Sequence, residues 1–177
     1  MPVALQSTGG GSVTLDVPST ASNFTATMPA STGTVMVSGN MPAVRAYLNT
    51  NQSVSHNTVT KVVFNAVTFD TNSNFNTSTG RFTPTVAGYY YVNSIVAFSQ
   101  TSQAYIDIYK NGSVAVYGPP MAGWSGIAGV SGIASDLIYC NGSTDYIEIY
   151  GYQATGSTQN FVGLATNTFV DIFLARV

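Results

Sequence analysis

Side chains able to do acid–base or nucleophilic chemistry are scarce here: one histidine, one cysteine and seven acids in 177 residues. His56 stands in the neutral polar stretch Asn49–Asn57, with no carboxylate or thiol beside it in sequence. A catalytic Ser, Cys or His needs an oriented base or acid partner. Nothing in this context supplies one, so His56 reads as a loop residue. Cys140 precedes an Asn-Gly pair and reads as a small strand residue. With no second cysteine, an intrachain disulfide is impossible. The acids Asp16, Asp70, Asp107, Asp136, Asp145, Glu148 and Asp171 are thinly spread. They form no Asp-x-Asp calcium loop and no evident glycosidase pair. The glycines of 123–132 are not followed by the Lys-Ser/Thr that a phosphate loop requires. We therefore expect no catalytic residues, no cofactor and no metal.

Charge excludes further classes. Five basic and seven acidic residues give a net charge of −2, and charged residues are 7% of the chain against a usual value of roughly 25%. No basic patch can neutralise phosphates, so no nucleic-acid partner is expected. No run reaches the ~18 apolar residues that span a membrane. The first residues, Met1–Leu5, lack a basic region followed by an apolar core, so we expect synthesis without a secretory leader. Low net charge also gives little repulsion between copies, which favours a fixed oligomer.

The tyrosines carry the strongest hint of recognition. In 145–152, Ile147 and Ile149 fall on one strand face, and Tyr146, Glu148, Tyr150 and Tyr152 on the other. Tyr105, Asp107 and Tyr109 alternate likewise against Ile106 and Ile108. Tyrosine joins a large apolar body to a polar tip and is favoured at interfaces. Tyr105, Tyr109, Tyr146, Tyr150 and Tyr152 are thus candidate subunit-interface residues. The alternative is that they pack beneath loops of their own domain.

The elements positioning these residues read as all-β. Expected strands are 45–48, 58–64, the apolar run Tyr89–Phe98, and 168–176. Ala104–Lys110, Asn111-Gly112 and Val114–Tyr117 predict a hairpin with a type I′ turn. Ile133–Cys140, Asn141-Gly142 and Tyr146–Tyr150 predict a second. No stretch has a capped 3.6-residue apolar period. Residues 1–43 differ: they are rich in Ser, Thr, Gly, Pro and Ala, with Asp16 as their one charge. They hold short alternating pieces, Val13–Val17 and Thr34–Val37, and read as an extended attachment arm. Residues 44–177 form the folded domain.

The stretch 64–93 is more specific. Phe69-Asp70, Asn74-Phe75, Thr79-Gly80-Arg81-Phe82-Thr83-Pro84 and Gly88 before Tyr89-Tyr90-Tyr91 resemble the globular head domain of complement's first-component recognition protein. Val44–Tyr47, Lys110-Asn111-Gly112, Asp145 and the closing strand 168–177 extend the resemblance over 44–177. Val92 departs from it, and so does the loop 117–132, with Pro119-Pro120 and Trp124. That family shares its jelly roll with tumour necrosis factor. The resemblance implies a jelly-roll β-sandwich of about ten antiparallel strands, a tight homotrimer, and binding without catalysis. It often brings calcium near the threefold axis, a ligand set that no loop here announces.

The arm carries a second resemblance. Gly11–Leu15, Pro18–Phe24 and Met28–Val35 resemble pieces of bacteriophage fibre and virion proteins. Together the two imply a virion protein, assembled in the host cytoplasm and exposed after lysis. Its trimer would dock on phage capsid or tail proteins through residues 1–43, as a head decoration or short fibre. The alternative is a receptor-binding adhesin for a host surface glycan or protein, with Tyr117 and Trp124 as the candidate ligand loop.

Overall fold

A computed structural model describes residues 3–15, 23, 41–100, 103–122 and 130–177. The chain divides into two compact units, Met1–Val35 and Met36–Val177.

In the first unit, β1 (Val3–Gln6) pairs antiparallel with β2 (Ser12–Leu15). The turn closes through Ser7 N–H to Gly11 O (2.7 Å) and Gly10 N–H to Ser7 O (3.1 Å). Leu5 stands opposite Val13, and both are exposed. The expected piece Thr34–Val37 lies outside the described residues, as do 16–22 and 24–40 in general.

The second unit is a sandwich of two sheets. Its strands are β3 (Ala43–Tyr47), β4 (Gln52–Val54), β5 (Thr60–Lys61), β6 (Ala66–Asp70), β7 (Phe75–Asn76), β8 (Arg81–Phe82) and β9 (Ala87–Phe98). They continue as β10 (Gln103–Lys110), β11 (Ser113–Tyr117), β12 (Met121–Ala122), β13 (Val130–Asn141), β14 (Ile147–Gln153), β15 (Gln159–Phe161) and β16 (Phe169–Arg176). One sheet runs β11-β10-β14-β8-β7, with β12 on β10 and β5 on β14. The other runs β4-β15-β9-β16-β3-β6, with β13 on β9. Every pairing is antiparallel, and the architecture is the expected all-β jelly roll. Four of these strands, β5, β7, β8 and β12, are only two residues long, which raises the count above about ten.

Period-2 alternation turns one side of each strand inward. The core between the sheets contains Phe64, Phe82, Tyr90, Phe98, Ile106, Ile108, Ile147, Ile149, Phe161 and Ile172, all fully buried or nearly so. Phe98 meets Phe161 edge-on at 5.3 Å, and Phe82 meets Tyr90 at 5.4 Å. The Tyr90 hydroxyl reaches a partner by donating to Val86 O (2.7 Å). Burial pushes its pKa up to about 12.

Two local expectations need correction. The stretch 58–64 is not one strand: only Thr60–Lys61 pairs, against Tyr150 and Gly151 of β14. Beyond it Val62 and Phe64 turn into the core, while Val63 N–H donates to the Gln52 side chain (2.8 Å) instead of a strand neighbour. The second hairpin does not form either. β13 pairs along its whole length with β9, while β14 pairs with β10, so residues 142–146 cross between sheets. The two Asn-Gly pairs differ in backbone. Asn111 (φ 53) and Gly112 (φ 78) are both left-handed, as a type I′ turn requires. At the second pair only Gly142 (φ 71) is left-handed. There Asn141 Oδ1 instead accepts the N–H groups of Ser143, Thr144 and Asp145 (2.9–3.0 Å), capping a wider loop.

Candidate self-association face

The outer faces of the two sheets are built differently. In the sheet containing β9, antiparallel register stacks outward side chains in rows. One row is Leu137–Tyr91–Phe173–Ala43. The next is Ser135–Asn93–Asp171–Arg45–Phe69, and the third is Ile133–Ile95–Phe169–Tyr47–Ala66. Tyr139 and Tyr89 pair beyond the first row. Six of these side chains are large, apolar and exposed: Phe69, Tyr89, Ile133, Leu137, Tyr139 and Phe173, from 45% to 53%. Among the described residues, the outer face of the opposite sheet carries one such residue, Tyr117. Exposed apolar rows flanking one polar row are the composition of a candidate interaction face.

The middle row holds an ion pair. Arg45 Nη1 donates to both carboxylate oxygens of Asp171 at 2.8 Å. The guanidinium lies 4.0 Å from the Phe169 ring centroid. Each side chain is about a third exposed (30% and 32%), so in the free domain the pair is water-screened and contributes little. Covering the face would desolvate it and make its geometry matter.

The five tyrosines expected at an interface lie on the other sheet, half-buried. Tyr105 stacks on Tyr152 with centroids 4.8 Å apart and planes 14° apart, and Tyr109 lies 4.0 Å from Tyr150. Arg81 covers the Tyr146 ring at 3.8 Å. Burial raises the pKa of Tyr105, Tyr109 and Tyr150. Charges interleave with the rings. Buried Glu148 accepts from Lys61 (3.1 Å) and Arg81 (2.9 Å) through one oxygen. Asp107 accepts the Gly118 N–H (3.0 Å), and its burial raises its pKa. The structure brings all five together, with much of their ring surface already in use.

The other singled-out groups have structural roles. His56 Nδ1 accepts the Gly156 N–H (3.0 Å), tying two loops together. Cys140 is buried, which pushes its thiol up to about 11. Tyr117 is 79% exposed, whereas Trp124 lies outside the described residues. Among the described residues no three His, Cys, Asp or Glu side chains gather as a metal site, and no helix could cross a membrane.

The apolar face was missed in the sequence because its residues come from five strands far apart in the chain. One local signal pointed to it. The run 89–98 is apolar on both faces, and a strand apolar on both faces is one covered on both sides.

Comparison with known proteins fits this architecture. Residues 43–119 match the family model of the C1q domain. The domain is similar to murine APRIL, with a TM-score of 0.58 and 13% identity over 76% of this chain and 98% of that one. It is similar to the Eiger TNF of S. frugiperda, with a TM-score of 0.60 and 11% identity over 76% and 92%. The globular domain of the zebrafish complement 1qA protein aligns with a TM-score of 0.50 and 20% identity over 76% and 97%. No curated protein matches the chain. The fold is a C1q- and tumour necrosis factor-like jelly roll.

Proposed function

We propose that this chain is a non-enzymatic structural or binding subunit that works as a homotrimer of jelly rolls. The observation that carries this reading is the uncovered face of Tyr89, Tyr91, Leu137, Tyr139, Ile133, Phe173 and Phe69. A face of that composition is stable in water when another copy covers it, and closed symmetry lets each subunit present it and be covered in turn. The number three comes from the likeness to the C1q domain. The half-buried tyrosine ladder then stays outward, as a second surface.

The test is native mass by light scattering on the full chain and on a chain lacking residues 1–40. That cut keeps the bonds from Leu174 N–H to Pro42 O and from Thr71 Oγ1 to Met41 O. Both chains should run at three times their monomer mass, which is 18.5 kDa for the full chain. A monomer in both sinks the reading. A trimer only with the arm present moves trimerisation into residues 1–40.

The setting we infer is a bacteriophage virion, with residues 1–43 attaching the trimer to capsid or tail proteins. Its support is the likeness of 11–35 to virion proteins, together with the hairpin β1–β2. An isolated two-stranded hairpin is marginal in water, and this one exposes Leu5 and Val13. Strand addition to a partner sheet would settle it, and three arms would add avidity. Binding of the full chain, but not the truncated one, to undecorated phage particles tests this. The adhesin reading is favoured by one observation, the 79% exposure of Tyr117. Host-cell binding that is lost in Tyr117→Ala would support it over decoration.

A further inference from the structure

The strand β13 has an open edge. Its 12 residues, Val130–Asn141, all pair with β9, and among the described residues no second strand pairs with it. A long strand with one edge unpaired offers a row of backbone donors and acceptors to any other strand, above all to the same strand of another copy. β13 holds no proline and no lysine, and Asp136 is its one charged residue.

Asp136 breaks the pattern of the strand. Residues 132, 134, 138 and 140 are buried, and period-2 alternation puts 136 in the same inward series. Asp136 is nevertheless exposed. Its Oδ1 accepts the N–H of the next residue, Leu137, at 2.7 Å. Along an antiparallel strand the N–H groups point alternately toward the partner and away from it. The Leu137 N–H, taken by a side chain, points away from β9, and by parity so do those of Ser135, Tyr139 and Asn141. The Asn141 N–H is also taken by a carboxylate, Asp145 Oδ2 at 3.0 Å. Acids therefore occupy two donors of the open edge, one in the middle of the strand and one at its end.

The position of Asp136 suits a guard against self-pairing. A second copy that extends this sheet by adding its own β13 antiparallel is related by a two-fold axis normal to the sheet. That axis keeps the core-facing sides of the two strands together, so each register is centred on one residue. The two registers that pair most of Val130–Asn141 are centred on Ser135 and on Asp136. The second sets the two Asp136 carboxylates directly opposite each other, and the first sets them diagonal. Like charges so placed are destabilising, and pairing would also strip water from each. We infer that Asp136 closes the β13 edge to the same strand of a second copy. This does not depend on how the apolar face is covered.

The test compares native mass by light scattering, over a range of protein concentrations, for the full chain and three variants of it. Asp136→Thr removes the carboxylate and supplies a good strand former. Its mass should rise with concentration to at least about double that of the unmodified chain. Asp136→Asn keeps the size of the side chain and an acceptor for the Leu137 N–H, so it preserves the fold, and its mass should rise as well. Asp136→Glu keeps the charge and should keep the unmodified mass. In the uncharged variants hydrogen exchange within 134–140 should slow as the mass rises, because the outward N–H groups of Ser135, Leu137 and Tyr139 gain strand partners. The inference is overturned if neither uncharged variant exceeds the unmodified mass at any concentration, if Asp136→Glu grows as they do, or if growth comes without slower exchange in 134–140. Each comparison is with the unmodified chain, so a monomeric native mass would remove the trimer and leave this test intact.

Discussion

The two outer faces of the sandwich are both rich in aromatic residues, yet they do different things with them. On the β10–β14 face the rings stack on one another and on Arg81, and ion pairs run between them. On the β9–β16 face Leu137, Ile133 and Phe173 stay about half exposed around a single Arg45–Asp171 pair. Aromatic content alone does not identify an interface. What identifies it is apolar surface left over after a domain has packed its own side chains.

The sharpest way to break that comparison is to charge each face in turn. Leu137→Asp places a carboxylate in the row with Tyr91 and Phe173, and covering it would bury an unpaired charge. Native mass should fall to one third. Tyr109→Asp on the other face should leave the mass unchanged. The reverse result would return the interface to the tyrosine ladder.

The central ion pair sharpens the comparison further. Arg45→Met strands Asp171 on a face that the proposed trimer would desolvate, and should weaken that trimer by about 2–5 kcal/mol. Arg45→Met with Asp171→Leu replaces both charges by apolar groups and should recover most of that loss. Dissociation on dilution measures both. If the single change costs nothing, water still reaches the pair and the face is not covered there.

Glu148 gives the matching test on the opposite face. Its side chain is 1% exposed and takes two cations, Lys61 and Arg81. Glu148→Gln leaves those cations without their anion and should cost about 3 kcal/mol, or roughly 6–12 °C in melting temperature. Native mass should not change, because this face closes within one subunit.

What was legible in the sequence was what is decided locally. The alternation of 104–110 and 145–152 and the Asn111-Gly112 turn depend on neighbouring residues; the first and the turn formed as read, and the second formed from Ile147 onward. The Asn141-Gly142 pair has the same sequence and a different outcome. There the side chain of Asn141 caps the loop, and the flanking strands find partners elsewhere. The apolar face depends on the register of five strands, β13, β9, β16, β3 and β6, so no window of sequence contains it.

Two aspartates, Asp107 on β10 and Asp145 in the crossing segment before β14, make the smallest and most pointed prediction. Hydrogen bonds from Asn111 and then Lys110 hold the Asp145 pKa below its ordinary 3.8. An acid lowered on folding stabilises the native state above its unfolded pKa, and that stability is lost as pH falls through the folded value. Asp107 has the opposite sign. Burial raises its pKa, so stability is lost as pH rises from 3.8 through the folded value, and the charged form remains a penalty at neutral pH. Asp107→Asn keeps an acceptor for the Gly118 N–H and removes the charge. It should raise the melting temperature at pH 7 by about 1–3 °C and by nothing at pH 3. Asp145→Asn should lower it at pH 7 and flatten the decline below pH 4. If Asp107→Asn instead destabilises at pH 7, the carboxylate has a cationic partner there, and the tyrosine face is not closed on itself in the way described.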